Sequence, residues 1–189
     1  MLRIGTAFNN IGSKVSYTKS EFKDFIPGNL GLGAALEMNL DDYNQLTFIL
    51  DFNKLLVPTP ISPDDPAYDE DNDDYPDFRQ KPLFEGIIES FADAPGGFAE
   101  EMREISFSVG AEYWYNKQFA FRAGYFYENP TKGNRQFLTA GLGLKYNVFG
   151  LNISYLVPTS NQRSPLDNTL RFTLMFHFDD KKEGAAPTE

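Results

Sequence analysis

Apolar and polar residues alternate along most of this chain, and the clearest example is the segment 104–128. Asn116 and Lys117 divide it into two arms, whose apolar positions are Ile105, Phe107, Val109, Ala111, Tyr113 and Tyr115, then Phe119, Phe121, Ala123, Tyr125 and Tyr127. A period of two over about ten residues per arm, joined by a two-residue turn led by Asn, predicts a β-hairpin. Each arm has the length of a tilted strand that crosses a bilayer. We therefore predict a transmembrane hairpin.

The same alternation predicts eight strands, and the connections between them alternate in length. The apolar faces of the strands span 2–8, 30–40, 46–52, 105–115, 119–127, 138–146, 149–157 and 170–178. The connections after strands one, three, five and seven are long, the first with a short strand-like piece at 14–18, and the others are short. Outer-membrane barrels combine short periplasmic turns with long outer loops. By this rule both chain ends are expected on the periplasmic side of a bacterial outer membrane.

The predicted fold class is all-β: an antiparallel transmembrane β-barrel over 1–178, followed by a disordered periplasmic tail, 179–189. A soluble β-sandwich also has alternating strands. Against it, the apolar faces are long and unbroken, and the opposite faces mix glycine with charges of both signs. We predict that these charges face the lumen and neutralise one another across neighbouring strands, although they can also line a pore or a ligand tunnel. They are Arg3, Glu37, Asp51, Glu112, Arg122, Lys145 and Arg171.

The formal net charge of −10 is concentrated in one segment. Eight acidic residues and no basic one lie between Asp64 and Asp77, so the remainder of the chain sums to −2. A nearly neutral body gives no basis for nucleic-acid binding. The absence of cysteine excludes disulfides, thiolate metal sites and cysteine nucleophiles. No export signal precedes the first strand. We therefore expect that the sequence is either a piece with chosen boundaries or the later part of a longer protein.

The long outer connection, 58–103, contains an acidic run at 64–77 with a partial calcium-loop pattern. Asp69, Asp71 and Asp73 have the spacing of the first three ligands of such a loop. Asp74 stands where that loop needs its turn glycine, and Gln80 stands where it needs a bidentate glutamate. The run is therefore predicted to be a solvated, flexible loop, and no metal site is predicted.

The segment 82–92 is predicted to be a short helix with one apolar face. Pro82 suits the start of a helix, and the apolar residues fall at i, i+3, i+4 and i+7. Gly96 and Gly97 interrupt the pattern before a second short helix. Such a face on an outer loop either packs into the barrel mouth as a lid or plug, or docks a protein partner, and the pattern leaves both open. Its residues are Phe84, Ile87, Ile88 and Phe91.

Enzymatic chemistry has little support in this sequence. His177 is the only histidine, and no G-x-S-x-G motif is present. A metal cluster would have a single imidazole available. We predict a protein that is not an enzyme and that uses no metal or cofactor.

Several long segments of the chain resemble the PorV (LptO) family, the outer-membrane shuttle proteins of type IX secretion in Bacteroidota. They are FIPGNLGLG (25–33), DFNKLLVPTP (51–60), SFADAPGGFAEEM (90–102), SVGAEYWYNKQFAFRAGYFYENPTKGNR (108–135) and SPLDNTLRFTLMF (164–176). The resemblance implies a FadL-like barrel of about fourteen strands, a number within the range of outer-membrane barrels. This chain would supply the last eight, and the strands that complete the barrel are expected to come from outside it.

The resemblance also implies a function in protein transport. Members of this family receive cargo proteins with type IX C-terminal domains from the Sov or SprA translocon, and they deliver the cargo to an attachment complex that contains the PorU sortase. They work among outer-membrane lipid and lipopolysaccharide, and no cofactor is implied. Two alternatives are a lipopolysaccharide acyl hydrolase that would depend on His177, and a FadL-type importer of hydrophobic molecules. Because apolar residues lie on an outer loop, we expect the contact surface to comprise the helix at 82–92 and the turn Ala94, Pro95, Gly96, Gly97 and Phe98.

Overall fold

The computed structural model describes residues 1–16, 23–73, 75–161 and 167–176, and most of them form one antiparallel sheet. Each strand pairs with the next in sequence, so the order across the sheet is the order along the chain. This confirms the predicted all-β fold class, and the sheet is consistent with part of a β-barrel. The strands are β1 (Leu2–Asn9), β2 (Asn29–Asn39), β3 (Asn44–Leu55), β4 (Ile105–Tyr115), β5 (Phe119–Tyr127), β6 (Gln136–Tyr146), β7 (Phe149–Pro158) and β8 (Leu170–Phe176).

Short and long connections lie at opposite ends of the sheet, as the sequence predicts. The short connections 40–43, 116–118 and 147–148 form the turn end. Asn116 and Lys117 have φ values of 50° and 52°, and two successive left-handed residues make the turn that matches the twist of a hairpin. The long connections form what we call the loop end, and they span 10–28, 56–104, 128–135 and 159–169.

One face of the sheet is apolar and uncovered. Its large side chains are exposed across the whole width, from Leu36 at 43% and Phe48 at 46% to Phe121 at 55% and Leu142 at 54%. Only one sheet exists among the described residues, so no second sheet covers this face. The soluble β-sandwich is therefore wrong for this chain. An apolar face of this extent needs an apolar environment, which for a sheet of this kind is lipid.

The opposite face carries charges that pair across neighbouring strands. Arg3 donates to Glu37 over 2.6 Å. Arg122 is ion-paired with Glu112 and donates to Asn152 over 2.7 Å. The registers of neighbouring strands place one row of side chains across the sheet, and its members are Glu37, Thr47, Glu112, Arg122, Gly141, Ser154 and Arg171. Opposite charges in one row offset each other, and the position of this face toward a lumen stays a prediction.

The two outermost strands have unpaired edges in the described part of the chain. β1 and β8 stand at the two ends of the strand order, and every residue of both is exposed. Unpaired N–H and C=O groups at a strand edge are costly in lipid, so edges there need partner strands. His177, Phe178 and the predicted tail 179–189 lie outside the described residues.

Three short helices occupy the long loop 56–104: α1 (Asp77–Gln80), α2 (Leu83–Glu89) and α3 (Phe98–Glu101), preceded by a 3₁₀ turn at Pro66–Tyr68. The helix predicted at 82–92 is thus shorter, because Ser90 caps α2 and the chain then turns. α1 has too few residues for apolar periodicity to indicate it. None of the described helices has the length and apolar content needed to cross a bilayer.

Candidate docking surface at the loop end

A buried lysine fixes the long loop to the sheet. Lys54 is the penultimate residue of β3, and its strand partners Leu30 and Ile105 belong to the apolar face. It is only 8% exposed. Its ammonium donates to Glu101 over 2.9 Å and to Glu104 over 2.8 Å. Two carboxylates thus compensate one buried cation, and they join α3 and the start of β4 to the end of β3.

The ion pairs continue from Glu104 to a second lysine. Lys132, in the connection between β5 and β6, donates to Glu104 over 2.9 Å and is also ion-paired with Glu100. The Thr59 hydroxyl lies 2.8 Å from Glu104 and 2.9 Å from Asp93, and it can donate to one of them at a time. The end of β3, the long loop and the connection between β5 and β6 therefore meet at the Glu104 carboxylate.

The same carboxylates hold the turn between α2 and α3. Glu101 accepts a hydrogen bond from the backbone N–H of Ala94 over 2.8 Å, and Glu100 accepts one from Gly96 over 2.7 Å. Asp93 accepts from the backbone N–H of Thr59 over 3.0 Å. Every one of these bonds has a carboxylate acceptor, the stronger kind of hydrogen bond. We call this set the anchor network: Lys54, Thr59, Asp93, Glu100, Glu101, Glu104 and Lys132.

The anchor network shifts the pKa values of Glu100, Glu104 and Lys132 toward their charged forms. Hydrogen bonds from Lys132 and Gly96 lower the pKa of Glu100. Burial alone would raise the pKa of Glu104, but hydrogen bonds from Lys54, Lys132 and Thr59 outweigh burial and lower it. Burial likewise opposes the charged form of Lys132, and its bonds to the two glutamates outweigh burial and raise its pKa.

These shifts predict a loop that loosens at acid pH. Glu100 and Glu104 have lowered pKa values, so the stability they contribute is present above the ordinary value of 4.5 and is lost as pH falls through the lowered values. The contribution of Lys132 is present below its ordinary value of 10.5 and is lost only as pH rises through its raised pKa. The loop should therefore stay fixed at neutral pH and gain mobility in acid.

The chain has no cysteine, which makes this acid response simple to measure. A spin label on Ala92→Cys, at an exposed position after α2, should show a sharp rise in mobility below the ordinary glutamate pKa. A label on Asp42→Cys, at the turn end, is the matched control and should show no such change. Equal behaviour of the two labels would contradict a role for these carboxylates in holding the loop.

Two small residues form the packed side of α2. Gly86 is buried against Phe25 and Pro58, and a Cβ atom there would lie 2.8 Å from Phe25 and 3.0 Å from Pro58. Ser90, four residues later, is fully buried. Residues two positions away from these point to the opposite side, because each residue turns an α-helix by about 100°. The close approach of the backbone therefore directs Phe84 and Ile88 outward.

Large apolar side chains of α2 and α3 are accordingly exposed. Phe84 and Ile88 are one helical turn apart on α2 and are 75% and 72% exposed. Phe98 at 80% and Met102 form a second pair at the same spacing. Phe91 is half exposed and lies with its ring 6.0 Å from the Lys54 ammonium. We call these five residues the exposed apolar set.

The other residues proposed from the sequence have different environments. Ile87 is partly buried and Ala94 is buried, whereas Pro95, Gly96 and Gly97 are exposed. The structure thus divides the predicted contact residues into a packed group and an exposed group. Among the residues proposed from the sequence, Phe84, Ile88, Phe91 and Phe98 are the large apolar side chains available to a partner.

A polar cavity of about 550 Å³ lies beneath this part of the loop, at the mouth of the sheet. Its wall includes Asn29, Asn53 and Ser106 from the strands. Arg135 and Glu128, also in the wall, are joined by two parallel hydrogen bonds of 2.7 Å and 2.8 Å. These two wall charges are thus engaged with each other.

Three carboxylates of the acidic run lie close together, and they are not the same three that the calcium-loop spacing in the sequence suggested. Asp69, Asp71 and Asp77 place one oxygen each within 4.8 Å of one another. Asp73 is not one of the three. Its backbone N–H donates to the carboxylate of Asp69 over 3.1 Å and to that of Asp71 over 3.3 Å. Partial loss of water and then the charge of Asp73 raise the pKa of Asp71. Exposed carboxylates often gather without an ion, so the group alone does not establish a metal site.

The beginning of the chain matches a known protein family. Residues 1–62 match the family model described as Type IX secretion system protein PorV. The match covers β1, β2, β3 and the start of the long loop. Among curated proteins, none matches the chain. The family recognised from the sequence segments is therefore confirmed over residues 1–62.

Proposed function

We propose, from the match of residues 1–62 to the PorV family, that this protein is a non-enzymatic outer-membrane shuttle of type IX protein secretion. It receives the C-terminal domains of cargo from a translocon of the Sov or SprA type. It then passes the cargo to a cell-surface attachment complex containing a PorU-type sortase. The family match supports the secretion role, and the loop end supports the contact with other proteins.

The outer membrane is the proposed location because of the two unlike faces of the sheet. The exposed apolar face suits hydrocarbon, and the paired charges on the other face suit an enclosed lumen. Strands of nine to eleven residues, such as β4, β5 and β6, are long enough to cross the bilayer when tilted. With the long connections outside, both chain ends are periplasmic and α2 and α3 face the surface where cargo emerges.

The observation that carries the shuttle proposal is the exposure of Phe84 and Ile88 on a helix that is itself fixed in place. Exposed apolar side chains on a monomer mark interaction sites. Rigid presentation reduces the entropy lost on binding, and the anchor network provides it. The alternative of a plug predicts instead that these side chains are buried in the mouth of the completed barrel.

The proposal is tested by replacing Phe84, Ile88 and Phe91 together with serine in the full-length protein. The affinity for cargo or translocon, followed by recovery with the tagged protein, should fall by about thirtyfold or more, since truncation of a central apolar contact costs about 2 kcal/mol or more. Surface delivery of cargo should fall in parallel. The matched control replaces Tyr43 and Val148, exposed residues of the turn end, with serine. Normal recovery and delivery in the triple variant would eliminate this contact surface.

The two alternatives predict other results. A lipopolysaccharide acyl hydrolase that depends on its only histidine would lose activity in His177→Ala, whereas a shuttle would deliver cargo normally. A FadL-type importer would bind fatty acid in the lumen. The paired charges Arg3–Glu37 and Arg122–Glu112 on the inner face disfavour a greasy tunnel.

A further inference from the structure

We propose that the long loop binds a cationic polypeptide segment whose basic residues alternate with apolar ones. This inference rests on the proposed function, which requires a protein partner at the loop end, and it specifies the chemistry of that partner. Apolar side chains of the segment contact the exposed apolar set, and its lysine or arginine side chains meet carboxylates beside that set.

The electrostatic basis is the distribution of charge along the chain. Residues 58–103 contain thirteen acidic and three basic residues, a formal net charge of −10, which equals that of the whole chain. The rest of the protein is therefore neutral in formal charge. A single strongly negative loop on a neutral body attracts cationic partners and orients them as they approach.

Two of the three basic residues in this segment are engaged within the chain. Arg79 is ion-paired with Asp24 over 3.3 Å, and Lys81 is ion-paired with Glu89. Asp24 precedes the acidic run in the sequence and Glu89 follows it. No basic residue lies within the run of eight acids from 64 to 77 itself.

Carboxylates also border the apolar side chains themselves. Glu85 follows Phe84 directly, is exposed, and lies one turn before Glu89 on α2. Glu85 and Glu89 therefore form a row on α2 that lies next to the row formed by Phe84 and Ile88. A partner that contacts Phe84 and Ile88 brings its neighbouring residues to Glu85. A basic residue there gains attraction, whereas an acidic one is repelled.

This charge favours a polypeptide over a lipid surface. Lipopolysaccharide and acidic phospholipids carry negative headgroups, and an anionic surface repels an anionic loop. Apolar side chains that dock on such a surface are usually flanked by lysine and arginine. On α2, Phe84 and Ile88 are flanked by Glu85 and Glu89 instead, and Arg103 is the one basic residue next in sequence to a member of the exposed apolar set.

The test uses three synthetic peptides with the full-length protein in lipid nanodiscs. In the first, lysine alternates with leucine along the sequence; the second has each lysine replaced by glutamate, and the third has each leucine replaced by serine. Fluorescence anisotropy should show binding of the first peptide only, with an affinity that falls as salt is raised. Glu85→Lys should weaken binding by about fivefold, the scale of one exposed charge pair. Asp42→Lys, the same kind of change at the turn end, should have no effect.

Equal binding of the glutamate peptide, or binding insensitive to salt and to Glu85→Lys, would overturn the inference. Stronger retention of lipopolysaccharide vesicles than of the lysine peptide would assign the surface to lipid and would also overturn it.

Cargo delivery, measured separately, reports on the proposed function. If the serine triple variant loses delivery while Glu85→Lys binds peptide normally, the inference fails and the shuttle function stands. If peptide binding is salt-sensitive while the triple variant delivers cargo normally, the inference stands and the proposed use of this surface in delivery fails.

Discussion

Replacing Lys54 with methionine is expected to release the long loop from the sheet. The methionine retains most of the side-chain volume but leaves Glu101 without a cation and Glu104 with Lys132 alone. Both carboxylates are almost fully buried, at 8% and 14% side-chain exposure. Removing one partner of a buried ion pair costs about 3–5 kcal/mol because the remaining charge is uncompensated.

Residue-resolved hydrogen exchange measures this release of the long loop. Protection should fall in 93–104, where the backbone N–H groups of Ala94 and Gly96 donate to the network carboxylates. The strand β7, which neither contains nor adjoins in sequence a member of the network, should keep its protection. Lys23→Met removes an exposed lysine near the same end of the sheet and serves as the control. Unchanged protection of 93–104 in Lys54→Met would show that the ion pairs do not hold the loop.

A double variant separates charge from packing. Lys54→Met with Glu101→Met removes both members of the most buried pair and replaces them with apolar side chains. Such replacements are often neutral or stabilising, because the desolvation cost disappears with the charges. Outside Ala94, whose backbone N–H loses its Glu101 acceptor, protection in the double variant should therefore exceed that in Lys54→Met. With Glu101→Met alone as the fourth member of the cycle, the departure from additivity measures the coupling between the two residues.

The strands were predictable because two local signals agree along the chain. An alternation of period two defines each face, and turn residues such as Asn116 and Asn147 adopt the left-handed conformation that closes a hairpin. The register then follows, since a shift by one residue would move every apolar side chain to the wrong face. The pairing of Arg122 with Glu112 was likewise expected, because opposite charges on one face of neighbouring strands meet.

The anchor network was not predicted because its members are distant in sequence. Lys54, Glu104 and Lys132 come from three separate parts of the chain, and only the folded sheet brings them together. One signal was nevertheless present. Lys54 continues the apolar parity of Leu46, Phe48, Leu50 and Phe52 in β3, so a charge stands where the pattern demands an apolar residue. A lysine at such a position needs a partner, and the loop supplies two, Glu101 and Glu104.

The sequence pattern also did not predict which side of α2 packs against the rest of the protein. Periodicity identifies an apolar stripe, and the general expectation is that such a stripe packs inward. In α2 the small residues Gly86 and Ser90 pack instead, because they let the helix backbone approach Phe25 and Pro58 closely. The apolar stripe is therefore left outward, and its exposure is what makes it a candidate docking surface.

Two neighbouring residues of β4 allow the membrane assignment to be tested with one substitution on each face. Val109 is on the apolar face, opposite Leu50 and Tyr125, and is 46% exposed. Ser108 is on the other face, directly opposite Asp51. Both positions are near the middle of the strand, so depth in the membrane is nearly the same for the two variants.

The most direct measurement is the free energy of unfolding of Val109→Arg and Ser108→Arg in lipid vesicles, by denaturant titration. Val109→Arg should cost about 2–4 kcal/mol, the value for arginine on the lipid face near the bilayer midplane. Ser108→Arg places its charge beside Asp51 and should change stability by less than about 1 kcal/mol. Equal stability of the two variants, or a larger loss in Ser108→Arg, would contradict the assignment of the apolar face to hydrocarbon.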